Sequence, residues 1–239
     1  MSVADRRDRI AGGGIIGLML AVLAGEAPAQ TLDCPAFPEP KAKLEWVAPY
    51  MVYNGVPMSI KRFDSEQPPG AILAFYRAEW KSPTPALSPQ EYQSGPWQTI
   101  AVVRGKCFFT VQVQTDGKRG STGLLSATQE PDGVKVEPAD HVLPMMTGSE
   151  IVNDIEHRDG GKNARTLLLR NGFSPEANAD FYRRNLGDKG WKMVSGYEMA
   201  TKKGPGITLV MKRGTAETSL VITREGVKSM VLANMVDEP

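Results

Sequence analysis

The chain has 239 residues and carries 28 Lys and Arg against 27 Asp and Glu, a net charge of +1, with 41% hydrophobic and 23% charged residues. This balance excludes collagen-like and disordered chains, and it gives no bulk attraction for a polyanion, so nucleic acid is not expected as a partner. The length suffices for one large domain or two small ones.

Residues 1–29 read as a secretory signal peptide. Arg6, Arg7 and Arg9 form a basic start, Ile15 to Ala24 a short apolar core, and Ala27-Pro28-Ala29 a small-x-small pattern before a cut near Gln30. The apolar run is well short of the ~20 residues a membrane-spanning helix needs, so no stable span is expected after cleavage. Residues 30–43 follow as an extended lead-in punctuated by Pro35, Pro38 and Pro40. Cys34 and Cys107 are the two cysteines, and an even count in an exported chain predicts one bridge between them.

Residues 44–128 read as a first α+β module. Asn54-Gly55 sits between strands 44–53 and 56–63, the strongest short hairpin signal. Pro57 places its strand at an edge, or marks its start. Pro68-Pro69 opens a helix whose apolar face takes Ile72, Phe75, Tyr76 and Trp80. Strands are expected at 97–104, 106–114 and 122–128, the middle one alternating between a buried and a wet face. Residues 129–144 read as a linker.

Residues 145–239 repeat the order. Strands 149–158 and 163–170 flank Asp159-Gly160-Gly161-Lys162, and Ser174-Pro175-Glu176 caps a helix bearing Ala177, Phe181, Tyr182 and Leu186. Further strands are expected at 191–197, 207–213, 216–224 and 227–236. The halves align without gaps over 58–77 and 164–183, with Pro69 on Pro175 and Phe75-Tyr76-Arg77 on Phe181-Tyr182-Arg183. The expected fold class is therefore α+β: two tandem β-β-α-β-β-β modules, each one helix packed on an antiparallel sheet, with Phe75 and Phe181 as the buried aromatic anchors.

The Pro…Phe-Tyr-Arg…Trp helix followed by strands resembles modules of poorly characterised proteobacterial exported envelope proteins. The second half ends its helix on Leu186-Gly187-Asp188-Lys189-Gly190-Trp191, while the first has only Glu79-Trp80. The resemblance implies an envelope protein and transfers no catalytic residue.

No recognised catalytic constellation is present. His141 and His157 belong to no HExxH or HxH motif, Gly12-Gly13-Gly14 falls in the leader, and Gly204-Pro205-Gly206 lacks the ending of a phosphate loop. Neither metal nor cofactor is expected. The run Asn153, Asp154, Glu156, His157, Arg158 and Asp159 reads as a solvated edge strand entering a turn, with Glu156 and His157 on opposite faces. Arg77 and Arg183 are candidate carboxylate-binding groups of a partner surface, or solvent-side residues that snorkel. Tyr53 and Trp97 are candidates to line a partner groove, or core residues. The expected function is a non-enzymatic periplasmic or secreted binding or scaffold protein with a protein partner in the envelope, as part of an envelope or secretion assembly. The alternatives are a carrier of a small apolar ligand and a hydrolase with an unrecognised site.

Overall fold

The computed structural model describes residues 31–237 apart from 118–119, 160 and 202–203. The leader expected at 1–29 and its cleavage site lie outside the described residues. Among the described residues twelve strands form one antiparallel sheet. In chain order these are β1 (Lys43–Tyr53), β2 (Val56–Ser65), helix α1 (Pro69–Glu79), β3 (Gln90–Ser94), β4 (Trp97–Arg104), β5 (Cys107–Thr115) and β6 (Ser121–Gln129). After the short helix α2 (Ala139–Val142) come β7 (Glu150–Asp159), β8 (Lys162–Asn171), helix α3 (Pro175–Asp188), β9 (Lys192–Thr201), β10 (Gly204–Arg213), β11 (Ala216–Glu225) and β12 (Lys228–Asp237).

The expected fold class is overturned. Strands hold 55% of the described residues and helices 16%, in a single sheet ordered β3-β4-β5-β6-β2-β1-β7-β8-β12-β11-β10-β9, not in two helix-on-sheet modules. The physical reason lies at the middle of the sheet. β1 and β7 each finish a six-stranded half with unpaired backbone groups, and they satisfy one another by pairing Met51–Tyr53 antiparallel to Ile155–His157. The Asn54-Gly55 turn has positive φ at both residues, 48° and 80°, as a tight hairpin requires. Its tip extends the seam: Asn54 N–H donates to the Asp154 carbonyl at 2.7 Å, and Asp154 N–H donates to Asn54 Oδ1 at 2.8 Å. Pro57 is the second residue of its strand, one residue before the β6 ladder begins at Met58, so its missing N–H costs no bond there. A fourth post-helix strand in the first half, β3, carries the polar sequence Gln-Glu-Tyr-Gln-Ser and was not expected.

Side chains opposite one another in an antiparallel ladder project to the same face. Met58 opposes Met51, Met51 opposes His157, and His157 opposes Ala164, so these four share a face. Phe63 and Leu169, each five residues further along its strand, share the other face. Phe63 belongs to the core under α1 and Leu169 to the core under α3, so both cores and both long helices lie on one side of the sheet.

The helix anchors are Tyr76 and Tyr182, both 0% exposed, and not the expected Phe75 and Phe181, which are half-buried. The stripe that faces the sheet runs Ile72, Tyr76, Trp80 at four-residue spacing. This turns Phe75 to its flank, where its ring meets Tyr76 edge-on at 4.9 Å. Phe181 meets Tyr182 the same way at 5.2 Å. Further pairs correspond between the halves. Ser121 Oγ donates to the Gln67 carbonyl and Ser229 Oγ to the Phe173 carbonyl, both at 2.7 Å. Ser65 Oγ accepts from Gln67 N–H and Asn171 Oδ1 from Phe173 N–H, at 3.2 and 3.1 Å. Gly105 and Gly214, each after an arginine, turn β4 into β5 and β10 into β11 with φ of 60° and 61°.

Each core is closed by the chain that precedes its own half. Residues 31–42 lay Leu32, Cys34 and Phe37 onto the first core. The segment 129–144, read as a linker, carries α2 and inserts Ala139 and Leu143 into the second, joined by Met145. Phe37-Pro38 and Leu143-Pro144 stand 106 positions apart, the same spacing as Tyr76 and Tyr182. Tyr76 Oη donates to the Pro38 carbonyl at 2.8 Å, whereas Tyr182 Oη is buried without a hydrogen-bond partner.

Candidate functional site

Cys34 and Cys107 form the expected disulfide, with Cα atoms 5.9 Å apart, and it pins the 31–42 segment to the start of β5. Arg77 and Arg183 both project from the exposed sides of their helices and are engaged within the chain. Arg77 forks Glu91 of β3 at 2.6 and 2.7 Å, which holds the Glu91 carboxyl below its ordinary range, and Arg183 bonds Asp180 one turn back at 2.9 Å. Tyr53 and Trp97 lie on the opposite, helix-free face. Tyr53 sits at the seam, its hydroxyl donating to Asn153 Oδ1 at 2.8 Å, and Trp97 opens β4 near the far edge. Four strand spacings separate β1 from β4, about 19 Å, so the four candidates do not converge.

The polar run of β7 is not an edge. β7 is an interior strand between β1 and β8, and its alternation divides the run between the faces. His157 opposes Met51 on the helix-free side. Asp154 and Glu156 point to the helix side and clamp Arg165, a side chain only 9% exposed. Arg165 gives two parallel hydrogen bonds to Asp154, at 2.9 and 2.7 Å, and its third nitrogen stands 2.9 Å from Glu156 Oε1, out of line for a hydrogen bond. Burial works against the charge of Arg165, but the Asp154 bond and the two carboxylates hold its pKa above the ordinary value. Glu156 is pushed up, first by burial and then by Asp154 and Glu137, with Arg165 opposing. This cluster is an internal ion network in which the guanidinium faces carboxylates of its own chain. A carboxyl whose folded pKa is raised holds its proton more tightly when folded. Its contribution to stability is therefore present below the unfolded pKa and lost as pH rises through the folded one. Glu156→Gln should accordingly leave stability unchanged or higher at pH 7, and should flatten the decline above the ordinary glutamate range. Urea titrations across pH 4–8 check this, and a clear loss at pH 7 would show the Arg165 pair to outweigh burial.

What remains open is the second face of the sheet. Among the described residues α1, α2, α3, the 3-10 turn Pro85–Leu87 and the 31–42 segment all lie on the helix side. The other face carries Tyr92, Val103, Phe108, Leu232, Tyr197 and Met199 exposed. Val103 and Phe108 oppose one another across β4 and β5 and form a contiguous apolar spot. Between them stand threonines, serines and glutamines such as Thr110, Gln112 and Ser126. Sequence reasoning missed Phe108, although the signal was present: it leads the wet face Phe108-Thr110-Gln112-Gln114 of an alternating strand, where an aromatic has no core to fill. A shallow acidic hollow lies at the end of β2, lined by Asp64, Ser65, Glu66, Asp116 and Gly120. No group of three His, Cys, Asp or Glu among the described residues is arranged to hold a metal ion. Comparison of the chain with protein-family models, curated proteins and solved structures finds no match in any of the three.

Proposed function

We propose that the chain is a non-enzymatic exported protein of the cell envelope that binds another protein through the helix-free face of its sheet, as a binding or scaffold component of an envelope or secretion assembly. The observation that carries this reading is the one-sided build: every covering segment among the described residues lies on one face, and the other presents Val103 and Phe108 to solvent. Large exposed apolar patches on an otherwise well-packed protein mark interaction surfaces. Export is supported by the Cys34–Cys107 bridge and the basic-then-apolar leader, and no helix among the described residues is long and apolar enough to cross a membrane. The resemblance to exported envelope proteins points the same way. We further read the two halves as copies of one ancestral unit, supported by the matched Ser121–Gln67 and Ser229–Phe173 bonds, the paired tyrosines and the mirrored strand order. A ligand carrier would need an apolar hollow between helix and sheet, and Phe37 and Leu143 occupy those places.

Photo-crosslinking in cells tests the reading. A crosslinker at Phe108 should give one discrete protein adduct, lost in Val103→Asp, and one at Glu79 on α1 should give none. Adducts from Glu79 alone, or from neither, would reject the helix-free face as the binding surface.

A further inference from the structure

Among the described residues the sheet is open and ends in two edge strands, β3 and β9. They occupy corresponding places in the two halves and serve as controls for each other. β3 is five residues long, is preceded by Pro83, Pro85 and Pro89, and has Glu91 tied back to Arg77 of α1. Short, polar, proline-flanked edges are how natural sheets prevent pairing with another chain. β9 has none of these guards. It runs ten residues without proline and holds Met193, Val194, Tyr197 and Met199 exposed, Tyr197 at 66%. Its only charges are Lys192 and Glu198.

We propose that β9 pairs antiparallel with β9 of a second copy of this chain, extending the sheet across a two-fold axis. The argument is independent of which protein the helix-free face binds. Such an axis perpendicular to the sheet keeps each side chain on its own face, so only residues of the same face can stand opposite one another. Beyond the irregularity where β9 passes Val210 and Met211, residues from Ser195 onward alternate regularly. A register centred on Glu198 opposes two carboxylates, which disfavours it. A register centred on Tyr197 stacks the two tyrosines and sets Ser195 opposite Met199 and Gly196 opposite Glu198, so no like charges face one another over this regular stretch. The fold already contains a pairing of this form. At its midline β1 and β7, the outer strands of two half-sheets, meet antiparallel over Met51–Tyr53 and Ile155–His157. A net charge of +1 raises no long-range repulsion between copies.

Sedimentation of the oxidised chain should give twice the monomer mass. Opposed residues in a ladder have Cβ atoms about 4.5–5.5 Å apart, and both native cysteines are bridged. Tyr197→Cys should therefore crosslink two copies under mild oxidation, while Tyr92→Cys on β3 should not. Tyr197→Lys, which opposes two ammonium groups, should raise the dimer dissociation constant about tenfold or more with an unchanged circular dichroism spectrum. Phe108→Asp should leave the dimer intact, which separates this inference from the binding surface proposed above. A monomer at all concentrations, a dimer indifferent to Tyr197→Lys, or crosslinking through Tyr92→Cys in place of Tyr197→Cys would each overturn it.

Discussion

Tyr76→Ala and Tyr182→Ala are each expected to lower stability by about 3–5 kcal/mol, the range for emptying a buried aromatic site. Both rings are 0% exposed and stand at the centre of a helix stripe. Tyr76 touches Phe37 and Trp80, at ring distances of 6.1 and 4.7 Å, and Tyr182 packs among Leu143, Leu167 and Leu186. Phe75→Ala and Phe181→Ala should cost less, because their rings are half in water already. The two cores share no residue, so hydrogen exchange should accelerate first in β4–β6 for Tyr76→Ala and in β10–β12 for Tyr182→Ala. The phenylalanine variants separate the two sites further. Tyr76→Phe removes the hydrogen bond to the Pro38 carbonyl and should cost about 1 kcal/mol. Tyr182→Phe removes a buried hydroxyl that has no partner, so it should be neutral or stabilising. Urea unfolding of the four variants checks the order. Equal losses for the two phenylalanine variants, or a larger loss at Phe75 than at Tyr76, would contradict it.

Removing the disulfide should have a comparable effect. Cys34 and Cys107 are 73 positions apart, and in the chain-entropy model closing a loop of that length contributes about 4 kcal/mol. The bridge also holds Phe37 against Tyr76, Trp80 and Phe109, where its ring lies 5.1–6.1 Å from theirs. The double substitution Cys34→Ser, Cys107→Ser, or reduction of the native chain, should lower the Tm by about 8–16 °C. It should also shift Trp80 emission to the red as the 31–42 segment loosens. A reduced protein melting within about two degrees of the oxidised one would show the segment to be held by packing alone.

Much of the chain's local structure was legible because local chemistry fixes it. Asn54-Gly55 does make the hairpin, Ser174 Oγ does cap α3 by accepting from Ala177 N–H at 3.1 Å, and the alternation of β5 does send Phe109, Val111 and Val113 to the core. What escaped was set by partners distant in sequence. β3 has no apolar pattern and exists as a strand because the edge of β4 offers it a ladder. The join of β1 to β7 depends on residues a hundred positions apart, so nothing local distinguishes two sheets from one. The same join turned Asp154 and Glu156 from an apparent solvated edge into the walls around Arg165. Choosing Phe75 over Tyr76 was an error of one helix position, 100° of rotation, which a stripe of mixed aromatics does not resolve. Of the surface proposed to bind a partner, the alternation of β5 revealed the wet face but not the aromatic at its head.

The seam at the centre of the sheet has a mechanical consequence. The β8–β12 ladder runs unbroken from Asn163 to Asn171, whereas β1 and β7 are joined only over Met51–Tyr53 and the Asn54 tip. A load drawn across the strands from the two edges is carried by each ladder in series, so it reaches its breaking point first where the fewest bonds share it. The protein would yield at its waist, parting into two six-stranded halves that each keep a helix, a core and a closing segment.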